Sequence, residues 1–283
     1  MTEITFRQAL QRGLREALDA DPNVFLMGED IGKYDGAYAV TQGLLEKYGP
    51  DRVRDTPISE AAFVGAGVGA AVAGLRPVVE LMSMSFSLVA SDQIVNMAAK
   101  IRYMSGGQIN VPMVLRAPTG GGVQLAATHS QSFENWYASV PGLKVVTPST
   151  PYDALGLLRS SIEDDNPVVF AENALLYATR GDVPDEEYRV PIGVADVKRT
   201  GTDITLVGWA HGIVTLMAAA EKLAETGVSA EVVDLRSLRP LDMETVIESV
   251  EKTGRALVLD ENWRTAGFGA ELAAEIGYRS SDY

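Results

Sequence analysis

Two residues combine proton chemistry with a setting that could tune it. Glu60 ends the run Thr56-Pro57-Ile58-Ser59-Glu60. It precedes a segment rich in small residues: Gly65, Ala66, Gly67, Gly69, Ala70, Ala71, Ala73 and Gly74. A carboxylate at the head of a helix gains from the local field and from unpaired amides. This pattern fits a cap or a surface acid. It also fits an acid buried by the small-residue helix. Burial would raise its pKa, and it could share a proton with a heterocyclic nitrogen. His129 is one of two histidines, with His211 the other. It ends the loop 116–129, which contains Gly120-Gly121-Gly122. Imidazole exchanges protons near neutrality, and loops carry a large share of functional residues. His211 lies between an expected strand and an expected helix and reads as a turn residue.

Other chemistries find less support. Ser130 is adjacent to His129, but neighbours in sequence rarely form a nucleophile–base pair, and no Gly-x-Ser-x-Gly elbow occurs. The absence of cysteine excludes disulfides, thiolate catalysis and Cys-ligated metal centres. Two histidines argue against a His-rich metal site and leave carboxylate-only magnesium binding open. Residues 65–70 match a dinucleotide fingerprint by letter. No clean strand precedes them and no acid follows at the usual distance, so close helix packing is the better account. There is no Gly-Lys-Ser or Gly-Lys-Thr phosphate loop. A phosphorylated cofactor would then need another chain to hold its phosphates. Residues 161–166, Ser-Ile-Glu-Asp-Asp-Asn, close a helix before Pro167. Carbonyls at such an end carry partial negative charge. They can hold a monovalent cation, or the segment is simply a polar helix end.

These residues need elements to position them. Of 283 residues, 46% are apolar and 22% charged, an ordinary globular composition. The net charge of -14 argues against nucleic acid and anionic membrane as partners. The N-terminus lacks a signal-peptide pattern, and no stretch reads as a membrane span, so a cytoplasmic compartment is expected, a mature organellar form being compatible. Apolar periodicity predicts helices over 5–19, 41–48, 61–74, 88–104 and 152–162, with strands over 24–27, 78–82, 111–115, 143–146 and 168–171. Ser59 is a plausible cap for the third helix. Residues 178–203 change character. A second alternation follows, with strands over 204–207, 230–235 and 256–259 and helices over 213–226, 243–252 and 269–276. The pattern is α/β with a largely parallel sheet. It divides into a domain over 1–185, a connection over 186–203 and a smaller domain over 204–283. The chain stops just after its last helix, so a final strand and tail read as missing.

Taken together, the motifs are recognisable. They include Gly28-Glu29-Asp30-Ile31-Gly32, Arg52 to Glu60, Asp92-Gln93-Ile94, Tyr103-Met104-Ser105-Gly106-Gly107 and His129-Ser130-Gln131. Pro141 to Pro148, Asp164-Asp165-Asn166-Pro167-Val168, Asp234-Leu235-Arg236 and Phe268-Gly269-Ala270-Glu271 follow in order. From Thr5 to about Ile276 the chain resembles the beta subunit of the first component of 2-oxoacid dehydrogenase complexes, a thiamine-diphosphate enzyme. Tyr34 to Tyr38, Thr56 to Glu60 and Met84-Ser85-Phe86 look most like the pyruvate-specific members. Acetoin and branched-chain 2-oxoacid dehydrogenases are close alternatives, and a non-catalytic assembly subunit is an alternative of another kind.

The resemblance implies a transketolase-like pyrimidine-binding domain followed by a smaller transketolase C-terminal-like domain. It implies that this chain holds the aminopyrimidine half of thiamine diphosphate, while an alpha subunit holds the diphosphate and its magnesium. The implied assembly is an alpha2-beta2 heterotetramer that works with a dihydrolipoyl acyltransferase core and its lipoyl domain. Glu60 would pair with a pyrimidine nitrogen and favour the imino tautomer. Phe86 would pack on the ring, with Ile58 and Met82 lining its pocket. His129 would face the substrate, orient the intermediate and transfer a proton during acyl transfer to the lipoyl group. Met113, Ser161, Ile162, Asp164 and Asn166 match the family's potassium site, mostly through backbone oxygens. The early chain end puts core binding in question.

Overall fold

A computed structural model describes residues 1–280. Ser281, Asp282 and Tyr283, on which the expectation of a missing last strand bears, lie outside the described residues. In chain order the first part has strands Thr2–Thr5 (β1), Val24–Gly28 (β2), Val53–Asp55 (β3), Arg76–Glu80 (β4), Val114–Thr119 (β5), Lys144–Val146 (β6), Val168–Asn173 (β7) and Arg180–Val183 (β8). Its helices are Phe6–Ala20 (α1), Leu44–Tyr48 (α2), Glu60–Val72 (α3), Ile101–Met104 (α4), Glu134–Ala138 (α5) and Pro151–Glu163 (α6). The second part has strands Asp196–Arg199 (β9), Ile204–Gly208 (β10), Ala230–Asp234 (β11), Ser237–Arg239 (β12) and Ala256–Val258 (β13). Its helices are Gly212–Glu225 (α7), Met243–Thr253 (α8) and Phe268–Arg279 (α9). None of the described helices is long and apolar enough to cross a membrane.

Strands β2 to β7 form a parallel sheet in the order β6-β7-β5-β4-β2-β3, and β12 adds to β6 antiparallel. Every residue of β5 and β7 is buried, as expected for central strands covered on both faces. The smaller sheet runs β13-β10-β11-β9, with β9 antiparallel. Two findings modify the sequence reading. The segment read as a connection over 186–203 contains β9, an edge strand of the second sheet. And β12, from the second domain, completes the first domain's sheet. A three-residue strand carries too little periodicity to be legible beforehand.

Local signals set the helix boundaries. Thr5 and Gln8 form a capping box at α1. Thr150 caps α6, and Pro151 occupies its first turn, where a missing N–H costs nothing. Asp242 caps α8, and Gly254 closes it in a left-handed conformation. The helix expected over 88–104 is instead broken into a tight turn at Met84–Leu88, a wide π-type turn at Gln93–Ala98 and α4. The wide turn brings the Ala99 carbonyl against Gly142, where a Cβ would lie 2.0 Å from that oxygen. The expected strand over 111–115 also moves, to Val114–Thr119, which places Arg116 in the sheet.

Helices α1 and α6 cover one face of the large sheet through Phe6, Leu10, Leu14, Leu155 and Leu158. Helix α3 covers the other face through Phe63, Val64 and Val68. Gly67 lets α3 approach β4 so closely that a Cβ would sit 2.7 Å from Val79 Cγ2. Close packing is therefore what the Gly/Ala run does here. The same core continues through Val207, Trp209, Leu235 and Leu238 into the second domain.

Candidate active site

Ligands of open α/β sheets bind outside the carboxyl ends of the strands. At that edge β2 ends at Gly28 and delivers Glu29, and β4 ends at Glu80. Helix α3 begins with Glu60, so this acid sits at the positive end of the helix dipole. Ser59 sits at the cap position, but its side chain makes no capping bond. Its cap role, expected from sequence, is not realised. Its backbone takes φ -160°, ψ 73°, and the Ser59 carbonyl instead accepts from Ala62 and Phe63.

Glu60 is buried, with 5% of its surface exposed, and Glu29 with 4%. Burial, the Glu60 charge and a hydrogen bond to Glu60 together push Glu29 up to about 7. Oε1 of Glu29 is buried without a hydrogen-bond partner among the described residues. Glu29 therefore binds its proton more tightly than a free carboxyl does and still presents an unsatisfied acceptor. The pairing of Glu29 with Glu60 is not legible in the sequence, because the two acids meet only through the fold.

This arrangement predicts a pH dependence of stability. The folded pKa of Glu29 lies above its ordinary value of 4.5, so the native state binds its proton more tightly than the unfolded chain. The contribution is complete below about 4.5 and is lost as pH rises through about 7. Buried Glu134, also pushed up to about 7 by burial, acts with the same sign. Glu29→Gln should therefore flatten the fall of the melting midpoint between about pH 5 and pH 8. Identical wild-type and variant slopes would contradict this account.

Phe86 and His129 are brought together across two loops, with ring centroids 5.0 Å apart and planes at 87°. Thr128 Oγ1 lies 2.9 Å from His129 Nδ1. Met82 and Phe86 are half-buried, His129 is exposed, and Ile58 is 80% exposed. No hydrogen bond among the described residues joins Glu60 to His129. The loop between β5 and α5 holds Gln124 and Ala126 at φ 54° and 68°, left-handed conformations that non-glycine residues adopt at a cost.

Beneath these loops lies a charge network not expected from sequence. Arg116 is 2% exposed and donates through Nε and Nη2 to both oxygens of Glu172, at 2.6 and 2.9 Å. Its Nη1 donates to Glu80, and Tyr177 donates to Glu172 at 2.8 Å. Burial lifts the Glu80 carboxyl even though Arg116 opposes that rise. Burial works against the Arg116 charge, but the two carboxylates outweigh it and raise the guanidinium pKa. One signal was available: Glu80, Arg116 and Glu172 each interrupt an apolar run of strand character.

The five residues matched to a cation site lie around the far end of α6. The Ile162 and Asp164 carbonyls accept from Arg76 Nη1 at 3.0 and 3.2 Å. The Met113 carbonyl accepts from Val168 at 2.9 Å, and Ser161 Oγ donates to the Leu157 carbonyl at 2.7 Å. The Asp164 carboxylate accepts from Asn166 and from Lys144. Burial tends to raise its pKa, but those bonds outweigh burial and hold it below the ordinary range. A carbonyl oxygen has two lone pairs, so each carbonyl that accepts one bond keeps a second position for a cation.

Comparison with known proteins places this geometry. Residues 2–179 match the family model "Transketolase, pyrimidine binding domain", and residues 193–282 match "Transketolase, C-terminal domain". A split-gene transketolase, solved as an inactive beta4 tetramer, superposes with a TM-score of 0.81 over 98% of this chain and 86% of its own. At 22% identity that likeness speaks to fold alone. The mitochondrial pyruvate dehydrogenase E1 component subunit beta-1 of Arabidopsis thaliana is 51% identical, over 99% of this chain and 78% of its own length. The mitochondrial E1 beta subunit of Dictyostelium discoideum is 49% identical, over 99% and 80%. The Rickettsia bellii E1 beta subunit is 47% identical, over 99% and 86%. With its acid pair at the carboxyl edge of a pyrimidine-binding sheet and this similarity along nearly its whole length, the chain belongs to the family of pyruvate dehydrogenase E1 beta subunits.

Proposed function

We propose that this chain is the beta half of a thiamine-diphosphate-dependent pyruvate dehydrogenase, with an active site completed by an alpha subunit. The observation that carries this reading is Glu60, buried at the head of α3 beside a second buried acid, Glu29, whose pKa it raises. When bound, thiamine diphosphate supplies the nucleophile and electron sink for decarboxylating a 2-oxoacid. The residues fit its aminopyrimidine half: two buried carboxyl groups, one with an unsatisfied oxygen, and the half-buried Phe86 as an apolar ring face. Glu60 exchanges a proton with a ring nitrogen of the bound pyrimidine. Glu29 keeps that proton at the site by resisting a second negative charge. Phe86, Met82 and Ile58 supply apolar surface for the ring, and the exposed Ile58 is left for the partner subunit to cover. His129 orients the acyl group and moves a proton at its imidazole during transfer to a lipoyl group.

The remaining assignments belong to the same reading. Magnesium and the diphosphate are held by the alpha subunit in an alpha2-beta2 heterotetramer. Potassium sits among the backbone oxygens of Met113, Ser161, Ile162, Asp164 and Asn166 and braces the sheet. The heterotetramer delivers acyl groups to the lipoyl domain of an acyltransferase core.

Reconstitution tests this directly. Mixed with an alpha subunit, magnesium, potassium and thiamine diphosphate, the chain should support pyruvate-dependent reduction of an artificial electron acceptor. Neither subunit alone should do so. A stable complex that turns over acetoin or 2-oxoisovalerate, but not pyruvate, would reassign the substrate. In the same preparation His129→Ala should slow acetylation of a lipoyl domain by about 100-fold, the usual scale for a lost proton-transfer group. An unchanged acylation rate would remove His129 from the mechanism.

A further inference from the structure

The loop that carries His129 is hydrogen-bonded at its end to one segment of the second domain and packs at its start against Asn173, which the same segment holds. At its start, Gly120 (φ 106°) lies against Asn173, where a Cβ would sit 2.8 Å from Nδ2. Asn173 Nδ2 donates to Glu261 Oε2 at 2.8 Å, and Glu261 Oε1 lies 2.8 Å from His211 Nδ1. At its end, Asn262 Nδ2 donates to the Ser132 carbonyl and to Asn135 Oδ1, both at 3.0 Å. Asn135 Nδ2 in turn reaches the Ala266 carbonyl at 2.9 Å. The buried Phe133 ring meets Trp263 edge-on, with centroids 5.8 Å apart. Within the loop the Leu125 amide donates to Ser130 Oγ at 2.8 Å, while Gln124 and Ala126 are left-handed. A loop with two unfavourable backbone conformations keeps its shape only when its surroundings impose it.

We propose that Glu261 and Asn262 are positioning residues for His129. Glu261 fixes the start of the loop through Asn173, and Asn262 fixes its end through Ser132 and Asn135. The second domain thereby sets where the imidazole stands over Phe86. This inference rests on the reading of His129 as the acyl-transfer residue. Misplacing a reacting group by about 1 Å costs on the order of 100-fold in rate, so loosening either fastening should be felt at that step.

The test uses the reconstituted heteromer with Asn262→Asp, which keeps the shape but removes both donors, and with the milder Glu261→Gln. Three quantities are measured: hydrogen exchange of residues 120–131, lipoyl-domain acetylation, and pyruvate-dependent reduction of an artificial acceptor. Exchange in the loop should quicken by about tenfold or more. The kcat for lipoyl acetylation should fall by about 10- to 100-fold, with KM for the lipoyl domain nearly unchanged. Acceptor reduction should fall by no more than about threefold, because it does not use the transfer step. Glu225→Gln, on the exposed end of α7, should behave as wild type throughout.

Unchanged loop exchange in both variants overturns the proposal. So does an equal loss in both partial reactions, which would mark a general structural role. His129→Ala, measured in parallel, separates the two claims. If it acetylates the lipoyl domain normally, the His129 assignment has failed, and hydrogen exchange alone decides whether the second domain holds the loop.

Discussion

Glu60→Gln should lower pyruvate-dependent acceptor reduction by about 10²- to 10⁴-fold while the heteromer assembles normally. The substitution keeps the size of the side chain and its capacity to hydrogen-bond to Glu29. It removes the exchangeable carboxyl proton and the charge. The fold has little reason to object, because Glu60 is buried beside another acid whose ionisation it opposes. Above about pH 7 the variant should be at least as stable as wild type, since one of two crowded negative charges is gone. Loss of turnover with retained assembly and retained stability is the combination expected of a proton-handling group. Turnover at the wild-type rate would refute its role. A collapse of assembly would instead identify Glu60 as a structural acid at the head of α3.

Arg116→Met should destabilise the chain by about 3–5 kcal/mol, a large part of the roughly 5–15 kcal/mol that stabilises a typical domain. Arg116 sits between Glu80 and Glu172, with both Glu172 oxygens and one Glu80 oxygen on its guanidinium. Methionine fills much of the volume but leaves two buried carboxyls without their partner. The folded pKa of Glu80, already raised by burial, then rises further, so the deficit is complete at neutral pH and shrinks as pH falls toward about 4.5, where the unfolded carboxyl also protonates. Adding Glu80→Gln and Glu172→Gln to Arg116→Met should recover much of the loss, because neutral amides need no counter-charge. Urea unfolding of the set checks this. A single variant within about 0.5 kcal/mol of wild type would show that the network bears little of the sheet's stability. Since β4 and β5 lead directly into the Met82–Phe86 and His129 loops, the single variant should also loosen those loops.

Much of the architecture was readable from the chain because its determinants are local. Apolar periodicity located α1, α6, α7, α8 and most strands of both sheets to within a few residues. Capping at Thr5, Thr150 and Asp242 acts through neighbours in the same turn. The residue order that marks the family, and Glu60 at the head of a small-residue helix, are likewise properties of the string. The region 88–104 was misread because its apolar spacing is helical, while the wide turn within it brings Ala99 into close contact with Gly142. The short β12 was missed because its pairing partner lies in the other domain.

The sequence alone supplied the candidates Glu60, Phe86 and His129, as it did most of the order of strands and helices that position them. Only the tertiary structure decided that Glu60 is buried beside Glu29 and raises its pKa, that Arg116 is clasped by Glu80 and Glu172, and that Asn262 reaches Ser132 across 130 residues of chain. The reason is physical. Helix and strand formation depend on spacing along the chain, whereas desolvation and charge pairing depend on distance through space, which exists only once the two domains have closed on a common core.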